Sequence, residues 1–193
     1  MKLVFATHNE HKLKEVQQLL PDHISLLSLN DINCFEEIPE TGQTLAENAK
    51  IKADFVTQTY GLDCFSDDTG LLVDALDGQP GVYSARYAGE QKNAQENMAK
   101  LLSELHQEPN RSARFKTVIH LNLDGESHRF EGAVEGVITE QQHGEHGFGY
   151  DPIFQPEGFD KTFGELSSEI KNTISHRARA ISKLVAFLKK VAP

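Results

Sequence analysis

The order of apolar patterns near the start of the chain restricts the possible fold more than any other feature. Apolar runs at 2–7 and 24–29 predict buried strands. Segments 12–20 and 44–60 carry apolar residues at helical spacing, and each follows one of these strands. Strands that alternate with helices are typical of α/β proteins, in which helices cover a sheet that contains parallel strands.

The later part of the chain adds a hairpin to this pattern. Residues 113–123 and 126–138 alternate between apolar and polar side chains, and Asp124-Gly125 between them is typical of a two-residue hairpin turn. A helix is predicted at 175–190, where apolar residues recur at helical spacing. We therefore expect an α/β fold with a mixed central sheet flanked by helices, in which the hairpin builds a second lobe.

Length and composition limit the classes of protein to which the chain can belong. A chain of 193 residues that is 38% hydrophobic and 25% charged is expected to form one domain, 1–193, with two lobes and no linker. The net charge of −10 argues against a nucleic-acid-binding protein, which needs a basic surface. Cys34 and Cys64 lie near apolar segments and are expected to be buried free thiols. We find neither a signal peptide nor an apolar run of transmembrane length, and we expect a soluble cytoplasmic protein.

A pair of adjacent carboxylates is the most informative candidate for chemistry. Asp67 and Asp68 follow the apolar run 62–66, so that a predicted strand ends in Asp-Asp-Thr-Gly. Open α/β sheets bind ligands at the carboxyl ends of their strands. Two carboxylates held side by side repel each other unless a cation or a proton relieves them. The alternative is a solvated turn, because Asp, Thr and Gly are all common in turns.

The helix predicted at 44–60 presents a lysine at the edge of its apolar face. Thr44 and Glu47 form a capping-box pattern at its start. At about 100° per residue, Asn48 and Lys52 border the apolar stripe. A lysine at the margin of a core is rarely without a partner. The alternative is that its stem is buried while the ammonium stays in water.

The junction between the first strand and the first helix, 7–12, has features of a phosphate-binding site. A helix N-terminus presents free N–H groups and the positive end of the helix dipole. Thr7 and Asn9 can add hydrogen bonds, and Lys12 can add a positive charge. The alternative is that Asn9 only caps the helix.

Two later segments offer hydrogen-bond donors and an aromatic ring. His176 and Arg177 open the last predicted helix, where cations oppose the helix dipole, so either an anionic partner or water must surround them. Lys171 lies shortly before them and adds a third donor. Phe148 lies between two glycines, where an aromatic ring can stack on a flat base. Packing in the core is the alternative for this ring.

The carboxylates Glu37, Glu40, Asp67 and Asp68 complete the candidate site. Their hard oxygen atoms suit Mg²⁺ that bridges to the phosphates of a substrate. Phosphate contacts, a metal ion and an aromatic platform together describe a nucleotide-binding site.

In this order, the motifs resemble those of the inosine triphosphate pyrophosphatases, the family of non-canonical purine nucleoside triphosphate pyrophosphatases also called dITP/XTP pyrophosphatases. The resemblance extends over nearly the whole chain. The matching segments are Thr7–Lys12 (T-x-N-x-x-K), Glu40-Thr41-Gly42 with Glu47-Asn48-Ala49, Ser66–Gly70, Pro80–Tyr87, Gly147–Pro152 and Ser175–Arg177. The chain departs from the family pattern at His8 and His11, which occupy positions that are often glycine.

The resemblance implies an enzyme that uses Mg²⁺ to hydrolyse ITP, dITP and XTP to the nucleoside monophosphate and pyrophosphate, which keeps deaminated purines out of nucleic acid. It also implies a homodimer whose elongated mixed sheet carries the substrate in a cleft between two lobes. It assigns the general base to Asp68 and the metal ligands to Glu40 and Asp68. The residues that it assigns to the substrate are Thr7, His8, Asn9, Glu10, His11, Lys12 and Lys52 at the triphosphate, Thr69, and Phe148, Gly149, Tyr150, Asp151, Lys171, His176 and Arg177 at the nucleoside.

The chemistry of the purine bases agrees with this assignment. Hypoxanthine and xanthine carry an acceptor oxygen at C6, where adenine carries a donor amine. Donors from Lys171, His176 and Arg177 would pair with the oxygen and leave the amine unsatisfied.

Three other classes of protein share parts of the pattern. Asp68-Thr69-Gly70 matches the Asp-Thr-Gly of aspartic proteases, but those are all-β proteins and this chain has several helical segments. An aspartyl-phosphate phosphatase needs Asp-x-Asp-x-Thr, whereas the carboxylates here are adjacent. A non-catalytic nucleotide sensor would bind ITP without turnover, and an intact Asp68 argues against it.

Overall fold

Helices and strands alternate along the first part of the chain, as residues 1–191 of a computed structural model show. The helices are α1 (Glu10–Leu19), α2 (Leu45–Tyr60), α3 (Ala94–Glu104), α4 (Ser168–Ile174) and α5 (His176–Val191). The strands are β1 (Lys2–Phe5), β2 (Ser25–Leu27), β3 (Cys64–Val73), β4 (Ser112–Leu123), β5 (Glu126–Ile138) and β6 (Phe154–Pro156).

In the described part of the chain, the strands form a six-stranded sheet with the order β2-β1-β3-β4-β5-β6. β1 pairs in parallel with β2 and with β3, whereas β6 pairs antiparallel with β5. Parallel neighbours need a crossover connection, and the chain passes through α1 between β1 and β2 and through α2 between β2 and β3. The prediction of an α/β fold with a mixed sheet is confirmed.

Two local predictions are confirmed in detail. The side chain of Thr44 accepts a hydrogen bond from the Glu47 N–H while the Glu47 carboxylate accepts from the Thr44 N–H, so α2 begins with a capping box. The turn between β4 and β5 has positive φ angles at Asp124 (50°) and Gly125 (82°). Two consecutive positive φ angles are what a type I′ hairpin turn requires.

One prediction about the carboxylate pair is wrong. The strand does not end at Asp-Asp-Thr-Gly but continues through it, so that Asp67 and Asp68 lie in the middle of β3. Both side chains are buried, and both accept hydrogen bonds from other elements, Asp67 from Lys12 and Asp68 from Asn48. Because these contacts satisfy the carboxylates inside the protein, tertiary structure overrides the preference of Asp and Gly for turns.

Two short elements were not predicted, α4 and β6. α4 has seven residues, too few for a helical pattern of apolar side chains to be recognised, and β6 has three. The helix predicted from 175 begins at His176, as expected.

The contacts of the chain divide it into two compact units. Unit 1 contains residues 1–68 and 117–132 and the chain from Arg177, and unit 2 contains Thr69–Lys116 and Ala133–His176. The single domain 1–193 with two lobes and no linker stays a prediction.

Unit 1 has an apolar layer on each face of β1 and β3. Phe5 and Phe65 stack with their ring centroids 4.8 Å apart, and they belong to a buried cluster with Val16 of α1 and Leu184 of α5. The residues that alternate with them on the strands pack instead against Ala53 and Val56 of α2. Both cysteines are buried and free, as expected.

Unit 2 has a core of its own. It is formed by residues of β3, α3, β4 and β5 and of the segment that follows β5, and Phe115, Phe154 and Phe163 lie in ring contact at its centre. Among residues 1–191, no helix combines the length and the apolar character that crossing a membrane requires.

Candidate active site

In unit 1, the carboxylate of Asp67 lies between two cations. It is 2% exposed; Lys12 Nζ donates to its Oδ1 at 2.9 Å and Arg177 Nε donates to its Oδ2 at 3.1 Å. Burial alone would raise the pKa of the Asp67 carboxyl, but Lys12 and Arg177 outweigh burial and hold this pKa well below its usual range. Asp67 is therefore ionised, and it fixes the positions of both cations.

Asp68, the next residue of β3, has a different environment. Adjacent strand residues point to opposite faces of a sheet, and Asp68 accepts from Asn48 Nδ2 of α2 at 3.2 Å. Lys52 Nζ lies 3.9 Å from its Oδ1. Burial raises the pKa of the Asp68 carboxyl above its ordinary value, because Lys52 and Lys12 offset burial only in part. A buried carboxylate with a raised pKa is better suited to accept a proton than an ordinary aspartate.

Lys52 joins Asp68 to Glu40. Its ammonium donates to the Glu40 carboxylate and, at 2.7 Å, to the backbone carbonyl of Asp67. Burial alone would lower the pKa of Lys52, but the carboxylates Asp68 and Glu40 outweigh burial and raise it. The residue is 8% exposed, so the alternative of an ammonium that stays in water is excluded.

The two proposed metal ligands, Glu40 and Asp68, thus share a lysine neighbour. Among residues 1–191 there is no group of three or more His, Cys, Asp or Glu side chains that would hold a metal ion by themselves. Mg²⁺ is commonly held by one or two carboxylates with water and substrate phosphates as the remaining ligands. A pair of carboxylates with hard oxygen atoms fits such an ion.

The loop before α1 has the contacts expected of a helix start. The Asn9 side chain caps α1 by accepting from Lys12 N–H at 3.1 Å, and Thr7 Oγ1 accepts from Asn9 N–H at 3.1 Å. His8 Nε2 lies 2.9 Å from the carbonyl oxygen of Glu36. These contacts bear out the capping role of Asn9, while the phosphate contacts of this loop stay predictions.

A pocket of about 220 Å³ opens beside this loop in unit 1. Its lining residues are Thr7, His8, Asn9, Glu10, Leu13, Lys14, Gln17, Ser28 and Asn30. Four of these belong to the segment 7–12 that is predicted to bind triphosphate, whereas His11 and Lys12 of the same segment do not line the pocket.

In unit 2, the predicted nucleoside-binding residues meet at Asp151. Lys171 Nζ donates to Asp151 Oδ2 at 2.7 Å, and the Phe148 N–H donates to the same oxygen at 2.7 Å. Lys171 Nζ also lies 4.9 Å from the centre of the Phe148 ring. Gly147 has φ 76°, and a Cβ added there would lie 2.1 Å from Asp151 Oδ2, so a glycine is required. The sequence thus places a lysine and an aromatic ring around one buried carboxylate.

The remaining predicted residues of unit 2 have other surroundings. His176 is buried and stacks on Phe115 with the ring centroids 4.7 Å apart. The Tyr150 hydroxyl donates to the carbonyl oxygen of Ser84 at 2.8 Å. Thr69 and Gly149 are half-buried. Arg177, which directly follows His176, belongs to unit 1 instead.

Glu15, which contacts the charged residues of unit 1 described above, was not identified from the sequence. Glu15 of α1 accepts a hydrogen bond from Arg177 Nη1. It occupies an ordinary polar position of an amphipathic helix, and its partner is 162 residues away. No local pattern distinguishes such a glutamate from a solvated one.

Comparison with known proteins gives the family. The family model of the Ham1 family matches residues 3–187, and the chain belongs to this family. The dITP/XTP pyrophosphatase of Flavobacterium johnsoniae is 63% identical over 188 residues, with 97% of this chain and 98% of that protein covered. The protein of the same name from Flavobacterium psychrophilum is 56% identical over 189 residues, with 98% and 100% covered.

A solved structure agrees with the sequence comparisons. The Staphylococcus aureus Ham1 protein matches with a TM-score of 0.90 at 40% identity, and 99% of this chain and 100% of that chain are covered. The family resemblance predicted from the ordered motifs is confirmed.

Proposed function

We propose that this protein hydrolyses the non-canonical purine nucleoside triphosphates ITP, dITP and XTP to the nucleoside monophosphate and pyrophosphate, and so acts as a hydrolase on an acid anhydride. The observation that carries the proposal is the cluster of Asp68, Glu40 and Lys52, in which a carboxylate of raised pKa lies beside a second carboxylate and a buried ammonium. Two relatives that share more than half of their residues with this chain are named dITP/XTP pyrophosphatase, which supports the same reaction.

Asp68 acts in this proposal as the general base that takes a proton from the attacking water. Its raised pKa makes proton acceptance more favourable than for an ordinary aspartate. Glu40 and Asp68 would hold Mg²⁺, which lowers the pKa of bound water and neutralises phosphate charge. Lys12 and Lys52 would stabilise the charge of the pyrophosphate leaving group.

Unit 2 supplies recognition of the base in the same proposal. Lys171, oriented by Asp151, and His176 are hydrogen-bond donors that suit the C6 oxygen of hypoxanthine and xanthine. Phe148 offers a ring for stacking. An amine at the same position of adenine would leave these donors unsatisfied, which disfavours ATP.

Product analysis tests the proposal directly. The protein is incubated with Mg²⁺ and either ITP or ATP, and the nucleotides and phosphates are quantified over time. IMP and pyrophosphate from ITP, with ATP left intact, would support it. IDP and orthophosphate would indicate a phosphatase, and tight binding of ITP without turnover would indicate a nucleotide sensor.

A homodimer and a substrate cleft are two further expectations that come from the family resemblance. We infer a homodimer, which sedimentation equilibrium tests by the mass of the particle in solution. The cytoplasmic location and the substrate cleft stay predictions.

A further inference from the structure

The segment Pro80–Tyr87 between β3 and α3 matches the family pattern, yet none of its residues has a part in the proposed reaction. At its centre, Ser84 is 8% exposed, whereas its neighbours Tyr83 and Ala85 are exposed. The segment thus turns one small polar side chain towards the interior of unit 2. A buried hydroxyl requires hydrogen-bond partners, and the partners of Ser84 show what this segment holds in place.

The side chain of Ser84 connects the segment to β3. Its Oγ accepts a hydrogen bond from the Leu71 N–H at 2.9 Å and donates to the carbonyl oxygen of Gly81 at 2.6 Å. Leu71 is fully buried, so its N–H would have no access to water without Ser84. Thr69, a predicted substrate contact, lies two residues before Leu71 on the same strand. Ser84 therefore fixes the backbone of β3 close to Thr69.

The carbonyl oxygen of Ser84 connects the same segment to the predicted nucleoside-binding residues. It accepts a hydrogen bond from the Tyr150 hydroxyl at 2.8 Å. Burial raises the pKa of Tyr150, so this hydroxyl keeps its proton and remains a donor at neutral pH. Tyr150 directly precedes Asp151, whose carboxylate accepts from Lys171 Nζ. A hydrogen bond one residue away from Asp151 limits the movement of this carboxylate and of the lysine that it orients.

Asn97 of α3 holds the segment from a third direction. Its side chain is 3% exposed; Nδ2 donates to the carbonyl oxygen of Ala85 at 2.9 Å, and Oδ1 accepts from the Ala88 N–H at 2.7 Å. The backbone that carries Ser84 is therefore supported by a helix and does not depend on Tyr150 for its position. All of these residues belong to unit 2.

We propose that Ser84 is a positioning residue of the nucleoside subsite, which joins the strand that carries Thr69 to the segment that carries Asp151. Both polar groups of Ser84, the hydroxyl and the carbonyl, have partners within the protein, so it acts through Leu71 and Tyr150 and not by contact with the substrate. The inference rests on the proposed function and deepens it, because it adds a residue that supports recognition of the base.

Tyr150→Phe is the sharpest test, because it removes only the hydroxyl that Ser84 accepts from. Calorimetric titration with Mg²⁺ present compares IMP, which carries the base, with pyrophosphate, which carries none. We expect IMP affinity to fall about fivefold, as for the loss of one hydrogen bond between neutral groups. Pyrophosphate affinity should change by less than about twofold, because no such bond supports the phosphate side. An unchanged IMP affinity, or an equal loss for both ligands, would overturn the proposal.

Kinetics provide a second readout that a general loss of stability would not reproduce. In Tyr150→Phe, KM for ITP should rise more than kcat falls, because the base is held less firmly while Asp68 is unaltered. The ratio of kcat/KM for ITP to kcat/KM for ATP should also fall, since Lys171 is oriented less firmly. A selectivity ratio equal to that of the wild type would contradict a role in recognition of the base.

A double-mutant cycle tests whether Ser84 acts through Tyr150. Ser84→Ala removes the partner of the Leu71 N–H and should also lower IMP affinity more than pyrophosphate affinity. If the two residues act through one contact, Ser84→Ala combined with Tyr150→Phe should lower IMP affinity by less than the product of the two single losses. A combined loss equal to that product would show that the residues act independently and would contradict the proposal.

Two exposed positions of unit 2 serve as matched controls. Tyr83→Phe removes a hydroxyl from a tyrosine that is 57% exposed, and Ser103→Ala removes one from an exposed serine of α3. Both variants should bind IMP and pyrophosphate like the wild type. If Ser84→Ala does not fold, the two titrations of Tyr150→Phe still decide the outcome. A wild type that does not hydrolyse ITP would refute the proposed function itself, whereas an active wild type with an indistinguishable Tyr150→Phe variant would refute only this inference.

Discussion

At the scale of single residues, the protein places two adjacent aspartates in environments that push their pKa values apart. Lys12 and Arg177 hold the pKa of Asp67 low, whereas burial raises the pKa of Asp68. A carboxylate with a strongly lowered pKa is a poor proton acceptor, and its neighbour with a raised pKa is a better one. Of the two aspartates, Asp68 is therefore the better candidate for the proposed general base.

Replacement of this base is the first prediction. Asp68→Asn keeps the hydrogen bond with Asn48 but removes the proton acceptor, so kcat for ITP should fall about 10³-fold, within the range typical of general base catalysis. Steady-state kinetics at saturating Mg²⁺ measure the change, and circular dichroism verifies the fold. Asp22→Asn, at an exposed position of the same unit, is the matched control. A folded Asp68→Asn protein with turnover close to that of the wild type would remove Asp68 from this role.

The second prediction concerns pH and a buried histidine outside the candidate site. Burial lowers the pKa of His120, although Asp54 opposes this, and the ring contacts Asn122. The folded protein thus takes up this proton at lower pH than the unfolded chain, whose histidine titrates near 6.5. The lowered pKa of His120 therefore contributes to stability fully above pH 6.5. This contribution is lost as the pH falls through 6.5 towards the lower pKa of His120 in the folded protein.

His120→Gln should therefore reduce the pH dependence of stability. Urea unfolding between about pH 7 and about pH 5 should show a smaller fall in the free energy of unfolding than in the wild type. His106→Gln, at an exposed position, should retain the slope of the wild type. Equal slopes for the wild type and His120→Gln would mean that other groups account for the acid sensitivity.

At the scale of elements, α2 illustrates how a local signal positions chemistry. The capping box at Thr44 begins the helix, and Asn48 and Lys52 follow at one-turn spacing on the face that meets β3.

Thr44→Ala removes the side-chain acceptor and should lower the free energy of unfolding by about 1 kcal/mol. Thr44→Ser retains an acceptor and should stay close to the wild type. Thermal and urea unfolding measure both, and equal losses in the two variants would rule out the cap as the cause.

Elements were predictable from the sequence where one or two residues determine the local backbone conformation. The capping residues of α2 and the Asp124-Gly125 turn are such cases, since each satisfies a local geometric need. β3 is the opposite case. Its Asp-Asp-Thr-Gly segment has the composition of a turn, but it lies in a strand between β1 and β4, and its carboxylates are held by residues of α1 and α2.

At the scale of the whole molecule, the contacts that define the candidate site join distant parts of the chain. Arg177 contacts Asp67 and Glu15, which precede it by 110 and 162 residues. Periodicity and capping rules describe neighbours within a few residues, so they identified the charged residues but not their partners. The buried pairs had to come from the structure, which groups Asp67 with Lys12 and Arg177 in unit 1 and Asp151 with Lys171 in unit 2.

This separation leads to the last prediction. Phe148 belongs to unit 2, and its backbone N–H rather than its ring holds Asp151, so Phe148→Ala removes the stacking surface and keeps that contact. IMP affinity should fall about tenfold, as for the loss of one base–aromatic stack. Pyrophosphate affinity should be unchanged, because pyrophosphate carries no base to stack on the ring. Phe35→Ala, at a position that is 72% exposed, should affect neither ligand. If Phe148→Ala weakened pyrophosphate as much as IMP, phosphate and base recognition could not be divided between the two units.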